Sequence, residues 1–488
     1  MRYILLAVCC MLGLVQAPAL AGGDYRTEET LLGVVDANFK TPIISRDGHH
    51  LAYTVEKDKK WRVVLDCQPG PDFDQIVDKS LTFSPDGNRL AYAGVSGGKC
   101  FVVVDGKPGG AYDGIAAGSP LFSPDGKHIA YSVLKGNKQL VVVDGADGPA
   151  YDGIVDSSLV FAPEGGAVAY AAGKGNKRFV VVDGKPGPEY DRVESIVFSN
   201  DGKRVAYRAR KGGKCFVVVD SAHGALYDGV SPPVISPNGK HVAYAVMDGK
   251  GQAVVVDGKR GPNYEAILDD SIVFSPDSKR LAYCAAKGGK ELGVIDGKPG
   301  PRYDGAGRVV FSPDSKHWAY TATKGSKQFV VIDGVLGDGY SAVRAGSIVF
   351  SPDSQRVAYS AMDGEKFFEV IDGVAGPKGD AIGYFMFSAD SSRTAYALQE
   401  GEQSVAVIDE VPSSKFDRLG SMAFSPDSRR VAYSSREGSA WHVTSNGWPG
   451  EDYIFVSANM SYDAGGVLTY LAIKGDSLYR VRQIPMDR

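Results

Sequence analysis

The feature that most constrains this chain is a decapeptide that returns at a nearly constant interval. Phe83–Tyr92 reads FSPDGNRLAY, and FSPDSKRLAY at 274–283 and FSPDSRRVAY at 424–433 repeat it. Each copy specifies one hairpin. Alternating apolar positions up to Phe83 suit a half-buried strand, Ser-Pro-Asp-Gly supplies the turn, and Leu90-Ala91-Tyr92 resumes an apolar strand. Pro85 presets φ for that turn, and Gly87 accepts a positive φ without a steric penalty. Marking the acidic or Asn residue of each turn gives Asp47, Asp86, Asp125, Glu164, Asp201, Asn238, Asp277, Asp314, Asp353, Asp390 and Asp427, spaced by 39 or 37 residues, with a degenerate twelfth copy at Asp463 after a step of 36. A period this regular is the signature of a repeat architecture.

One period holds four strands. Taking 195–230 as the example, strand a is Ser195–Ser199, b is Val205–Ala209, c is Cys215–Asp220, and d falls around Leu226–Val230. Lys-Gly-Gly-Lys at 211–214 is a two-residue b–c hairpin of the type II′ kind, and Asp-Gly-Lys-Pro-Gly-Pro at 183–188 is loop chemistry between c and d. Four antiparallel strands in about 38 residues, without a 3.6-residue periodicity, match a β-propeller blade. The expected fold is therefore all-β, a β-propeller of about twelve four-stranded blades. Thr30–Val35 reads as a lone d strand, and the twelfth repeat offers only a, b and c, so each end supplies what the other lacks. Because single propellers usually hold about four to eight blades, the sequence predicts two six-bladed rings in tandem. The amino-terminal strand would close the first ring on the blade around Val242–Asp257, giving propellers over 22–258 and 259–488. One large ring and a seven-plus-five division are the alternatives.

The first 21 residues form a different object. Arg2 precedes the apolar stretch Ile4–Val15, and Ala19-Leu20-Ala21 is an A-x-A cleavage signal, so 1–21 is expected to be a signal peptide and the mature protein to be exported, periplasmic or extracellular. That stretch is too short to span a bilayer of about 30 Å as a helix, and no later segment approaches membrane-spanning length. Export permits disulfides, yet Cys100 and Cys215 occupy the same position in non-neighbouring repeats. The four mature cysteines, which include Cys67 and Cys284, are expected to be free thiols. No C-x-x-C spacing supports zinc. With 54 Lys+Arg against 58 Asp+Glu the formal charge is −4, which argues against nucleic acid as the partner.

FSPDGNRLAY and its copies, each followed by a V-V-V-D-G-like strand, resemble the WD40-like propeller repeat of TolB-type bacterial envelope proteins. The resemblance covers nearly the whole mature chain and implies a propeller fold and a place in the bacterial cell envelope. It implies no single function, because the repeat occurs beside several activities. The chain departs from TolB itself in having only the 20 residues Gly22–Thr41 before the first blade, with no α/β domain there.

Regular positions read as scaffold. The residue opening strand b is Arg or His in almost every repeat (His50, Arg89, His128, Arg204, His241, Arg280, His317, Arg356, Arg393, Arg430). It suits a basic ring for an anionic ligand, or a partner for an Asp of its own blade, and repetition favours the second. Phe83, Phe122, Phe274 and their counterparts, with the Ala-Tyr tyrosines, read as core between blades. The b–c hairpins carry paired lysines, Lys135 and Lys138, Lys174 and Lys177, Lys211 and Lys214, Lys287 and Lys290, Lys324 and Lys327, which would present one face to an anionic polymer or acidic protein. Repeat eleven breaks the pattern with Trp441 in strand c and Trp448 after it, exposed aromatics of the kind that anchor partners. Gly475-Asp476-Ser477-Leu478 spells a hydrolase signature in a b–c hairpin without a downstream His, and no G-x-S-x-G elbow follows the repeats. The sequence thus points to a non-catalytic scaffold that binds a protein or polymer in the envelope and needs no cofactor. A propeller lyase or glycan hydrolase with a channel site is the alternative.

Overall fold

The computed structural model describes residues 21–22, 25–36 and 38–486, and contains strands and turns but no helix among them. Of the expected leader at 1–21, residues 1–20 lie outside the described residues, and Ala21 opens the short strand Ala21–Gly22. Twelve antiparallel sheets follow one another along the chain. They are numbered here as blades 1 to 12 by their b strands: Leu51–Lys57, Leu90–Ser96, Ile129–Lys135, Val168–Lys174, Val205–Lys211, Val242–Asp248, Leu281–Ala286, Trp318–Lys324, Val357–Asp363, Thr394–Glu400, Val431–Glu437 and Leu468–Lys474. Every sheet keeps the order a-b-c-d.

Strand d is shorter, and comes sooner, than expected. In blade 5 it is Ala222–His223, directly after the c–d turn, while Gly229–Val230 already begins strand a of blade 6. The Asp-Gly-Lys-Pro segments at 183–186 and 296–299 are therefore a turn plus a two-residue strand, Lys185–Pro186 and Lys298–Pro299, while the one at 105–108 runs on into the six-residue strand Lys107–Tyr112. Pro lacks the N–H that a further strand would need, so it is tolerated only at an edge. Strand a sits at the other edge of each sheet. The a strands of blades 4, 5 and 6 lie against one another, as do those of blades 11 and 12, which puts this edge on the inside of the ring.

The alternation of 39- and 37-residue steps has its origin on that inner edge. In blade 7 strand a is split into Ala266–Ile267 and Val273–Phe274, both paired with strand b, and a tight turn bulges out between them. Ser271 holds the gap: its hydroxyl donates to Leu268 O (2.7 Å) and accepts from Cys284 N (3.1 Å). Ser80, Ser119, Ser158 and Ser347 accept in the same way from strand b of blades 2, 3, 4 and 9. These five blades are the ones reached by 39-residue steps. Each turn carries one left-handed residue: Lys79, Gly118, Ser157, Asp270 and Gly346 have φ of 56°, 76°, 57°, 53° and 71°.

The ring closes once, through its ends. The closing strand Tyr25–Val34 runs antiparallel to Ser477–Pro485, with Tyr25 opposite Pro485 and Val34 opposite Ser477, and so becomes strand d of blade 12. Blade 12 packs on blade 1: Leu471 and Leu478 share a core with Leu51, Tyr53, Val55 and Val64, flanked by Leu32 and Val35. Ser461 donates to Asp47 O (2.6 Å) and Asn459 to Ser45 O (2.9 Å) across the same seam. This corrects the expectation of two six-bladed rings. The amino-terminal strand does not reach the Val242–Asp257 blade, and the expected boundary at 258/259 falls inside the c–d turn of blade 6. Across it Ala243 and Val254 pack with Tyr264, Ile267, Phe274 and Tyr283 as at every other seam.

Each seam repeats one joint. Apolar residues of strands b and c bury against the next blade, with edge-on tyrosine pairs such as Tyr264–Tyr283 at 6.1 Å and Tyr303–Tyr320 at 6.4 Å. The Arg or His opening strand b ties that core to the turns. Arg356 Nε reaches Asp372 Oδ2 at 2.8 Å in its own blade, Nη1 donates to Ser391 O at 3.2 Å in the next, and the guanidinium lies 5.3 Å from the Phe387 ring. Arg89, Arg204, Arg280 and Arg393 make the same ion pair, and His50, His128, His241 and His317 replace it through Nδ1. The basic positions are thus consumed by the scaffold. Arg356→Ala should cost about 1–2 kcal/mol, from a charge-assisted bond and a cation–π contact. Lys316→Ala, at a turn tip where the side chain is 77% exposed, should stay within about 0.5 kcal/mol. Denaturant midpoints of the two variants check this.

Candidate functional site

The antiparallel order puts all b–c hairpins on one side of the ring, the hairpin face, and all a–b and c–d turns on the other, the turn face. The paired lysines lie on the hairpin face, but half of them are spent within it. Lys138, Lys177, Lys214 and Lys290 bind Asp152, Asp191, Asp228 and Asp304, which stand where one blade crosses to the next. The second oxygen of Asp152, Asp191 and Asp304 accepts the hairpin N–H of the following blade, from Gly175 (2.7 Å), Gly212 (2.9 Å) and Gly325 (2.8 Å). The lysine bond, then the backbone bond, holds these three carboxyls below the usual Asp range. Lys135 pairs with Asp147 at 2.7 Å. Among the described residues, no carboxylate lies within 4.0 Å of Lys174, Lys211, Lys287, Lys324 or Lys327. Lys327 is free because Ser341 replaces the crossover Asp.

The two tryptophans occupy opposite ends of blade 11. Trp441 lies at the hairpin end of strand c, half-buried against the blade 12 core, with its backbone N–H donating to Tyr453 O at 2.7 Å. Trp448 opens strand d at the turn face and is 53% exposed, and its carbonyl accepts the Tyr25 hydroxyl of the closing strand at 3.2 Å. Only Trp441 shares a face with the lysines. Both border the blade that closes the ring.

One interruption of the repeat lies on the inner wall, where blades 5 and 6, each reached by a 37-residue step, lack the extra turn residues and blade 7 projects its longer turn. The notch between them is a recess of about 560 Å³. Its floor is apolar, built from Val230, Val246, Ile267 and Ile272, all buried. Its rim is polar. Arg208 stands where other blades carry Ala93, Ser132, Ala171 or Ala245, and it reaches Glu194 and donates Nη1 to Val230 O at 3.2 Å. Asp269 and Asp270 crown the opposite lip, with Arg308 beyond them, and none of the three has an oppositely charged partner within 4.0 Å among the described residues. Ser231 is occupied, donating to Pro232 O and accepting from Ala245 N. The lining contains no His or Cys. The recess can therefore hold an amphipathic segment, apolar side down, with its charges at the rim. Glu194 lies on strand a of blade 5, and Asp269 and Asp270 lie in the turn that interrupts strand a of blade 7, while four of the ten hairpin lysines are paired with crossover Asp residues. Arg208 and the Pro232-Pro233 pair were the available signals for the recess.

A second departure is internal. Between blades 9 and 10, Glu369 takes a core position held by Val63, Val102, Val141 or Val330 in other blades, and it is wholly buried. Ser360 donates to its Oε1 at 2.7 Å, while Oε2 is buried without a partner. The crossover residue that bridges to strand c, aromatic at Phe73, Tyr151 or Tyr303, is Gly379 here, and Tyr396 faces Glu410 at 3.4 Å instead of a second tyrosine. Burial pushes the Glu369 carboxyl up to about 7 against the Ser360 bond and the Arg344 charge, and burial also raises Glu410. Cys67, Cys100, Cys215 and Cys284, the cysteines among the described residues, are free, with Cys284 buried.

No protein-family model matches the sequence, and no curated protein matches it. Among solved structures the chain is similar to a eukaryotic initiation factor (15% identity, covering 68% of this chain and 96% of that one, TM-score 0.37). It is also similar to the β-propeller domain of the trilobed protease of Pyrococcus furiosus (15%, 53% and 93%, 0.26) and to TolB of Acinetobacter baumannii (15%, 60% and 79%, 0.22).

The buried carboxyl sets a pH dependence. A folded value of about 7 against an ordinary 4.5 means that the folded protein retains a proton the unfolded chain has lost, so stability falls as pH rises from 4.5 to 7 and is level above that. The loss is on the order of 3 kcal/mol at most. Glu369→Gln, which keeps the hydrogen-bonding shape without ionising, should remove that part of the slope in denaturation midpoints measured from pH 5 to about 8.

Proposed function

We propose that this protein is a non-catalytic binding scaffold, exported to the bacterial cell envelope by its leader, which holds a protein or polymer partner against the inner wall of the ring. The observation that carries this reading is the recess at blades 5 to 8. The Arg and His residues that open strand b are each paired with a carboxylate of their own blade, whereas Asp269, Asp270 and Arg308 face the opening unpaired above an apolar floor. A recess of this size and composition suits recognition. Its one lining hydroxyl that could act as a nucleophile, Ser231, is held by two bonds to backbone and has no neighbouring base in the lining. The leader and the repeat's likeness to TolB-type proteins support the envelope setting.

The test compares the mature protein with an Asp269→Lys/Asp270→Lys variant as bait in envelope extract. The wild type should retain a discrete partner that the variant loses, with unchanged unfolding midpoints. Equal capture by both would contradict the recess as the binding site. Turnover of a polysaccharide by the purified protein would replace the scaffold with an enzyme.

A further inference from the structure

A second cleft opens at the same seam on the opposite face. Between blades 6 and 7, on the turn face, a groove of about 690 Å³ is lined by Asn238, His241, Lys259, Arg260, Lys279 and Arg280, with Asp257 and Asp296 among the other lining residues. Two departures from the repeat meet there, and both make it more positive. Asn238 is the one turn residue among the first eleven that carries no charge, where ten others are Asp or Glu. Arg260 replaces the proline that stands at this place as Pro69, Pro108, Pro186, Pro299, Pro412 and Pro449 in six other blades.

Asn238 performs the turn's structural work without the charge. Its Oδ1 accepts from Ser236 Oγ (2.8 Å) and Lys240 N (3.0 Å), as Asp277 Oδ1 accepts from Ser275 Oγ (2.6 Å) and Lys279 N (3.1 Å) in the next blade. The turn geometry is therefore indifferent to the lost carboxylate, and the change acts on the field of the groove. Both lining carboxylates are engaged. Asp257 accepts from His241 Nδ1 (2.7 Å) and Val242 N (2.9 Å), and Asp296 from Arg280 Nε (3.0 Å) and Leu281 N (3.1 Å). Against them stand three further cations, Lys259, Arg260 and Lys279. Lys259 has no carboxylate within 4.0 Å among the described residues, Lys279 is 82% exposed and 3.6 Å from Asp277, and Arg260 Nε is buried without a partner although its terminal nitrogens reach Asp248 and Asn263.

We infer that this groove binds a polyanion, a ligand carrying at least two phosphate or carboxylate groups in series. Lys259 from blade 6 and Lys279 from blade 7 stand on opposite walls and can each meet one anionic group, with Arg260, held by Asp248 at 3.2 Å, adding its charge beside Lys259. Charge-assisted bonds to phosphate or carboxylate are the strong ones available to the lysines. A single anion would leave most of the lining unused. The site does not rest on the inner-wall recess, which opens toward the hairpin face and shares none of these cations.

Titration calorimetry of the full mature protein with inorganic tripolyphosphate, and separately with citrate, tests the proposal and tells phosphate from carboxylate recognition. Tripolyphosphate or citrate should bind with one equivalent per chain at about 20 mM salt and weaken at about 200 mM, as screening requires. Asn238→Asp restores the residue type of the other blades and should fold normally, yet it should weaken binding about tenfold, and Arg260→Gln should do the same. No binding of either probe at low salt would overturn the site, and so would binding that both variants leave unchanged.

Discussion

A blade of this protein cannot bury its own apolar surface. Strands b and c carry Ala, Val and Tyr on both sides of the sheet, so each blade needs a neighbour against either face. Along the chain that demand is met eleven times by the next repeat. At the ends it is met by the strand Tyr25–Val34, which completes blade 12 and brings Leu471 and Leu478 against Leu51 and Tyr53. An open array would leave two apolar faces in water. Closure removes both, and every other interaction of the ring, from the tyrosine pairs to the arginine ties, presupposes it.

Within the closed ring, most charge is structural. Arg356 and its counterparts join an Asp of their own blade, carbonyls of the next and an aromatic ring of the next, and the crossover Asp residues join a lysine of one blade to the hairpin of the following one. Exposed ion pairs contribute little singly. Their value here lies in register: each fixes how one blade's turns sit on its neighbour. The joint is altered without being broken at three places, at Arg208 with Asp269 and Asp270 on the inner wall, at Asn238 with Arg260 on the turn face, and at Glu369 inside a seam.

The blade was legible because its hairpins are local. Pro85 and Gly87 announce a turn whatever surrounds them, and the count of such turns yields twelve sheets. Strand d was not legible, since two residues ending in Pro show no alternation, and its apparent place was taken by the strand a that follows. The ring division was hidden for another reason: the repeat continues unbroken through Asp257, and the information that closes the ring lies in a pairing between the two chain ends. The usual size of propellers argued for two rings, and the pairing overrides it. The inner recess was half visible in the steps of 37, 37 and 39 around Asn238, but those numbers acquire meaning only once the extra two residues are known to lie on the inner wall. Trp441 and Trp448 drew notice through rarity, and proximity in sequence concealed that they sit at opposite ends of their blade.

The most direct test of this account is an end-on view of the particle. Electron-microscopy class averages of the mature protein should show one closed ring of twelve blades around a single central opening, as the pairing of Tyr25–Val34 with Ser477–Pro485 requires. Two side-by-side discs of six blades, each with its own opening, would contradict it.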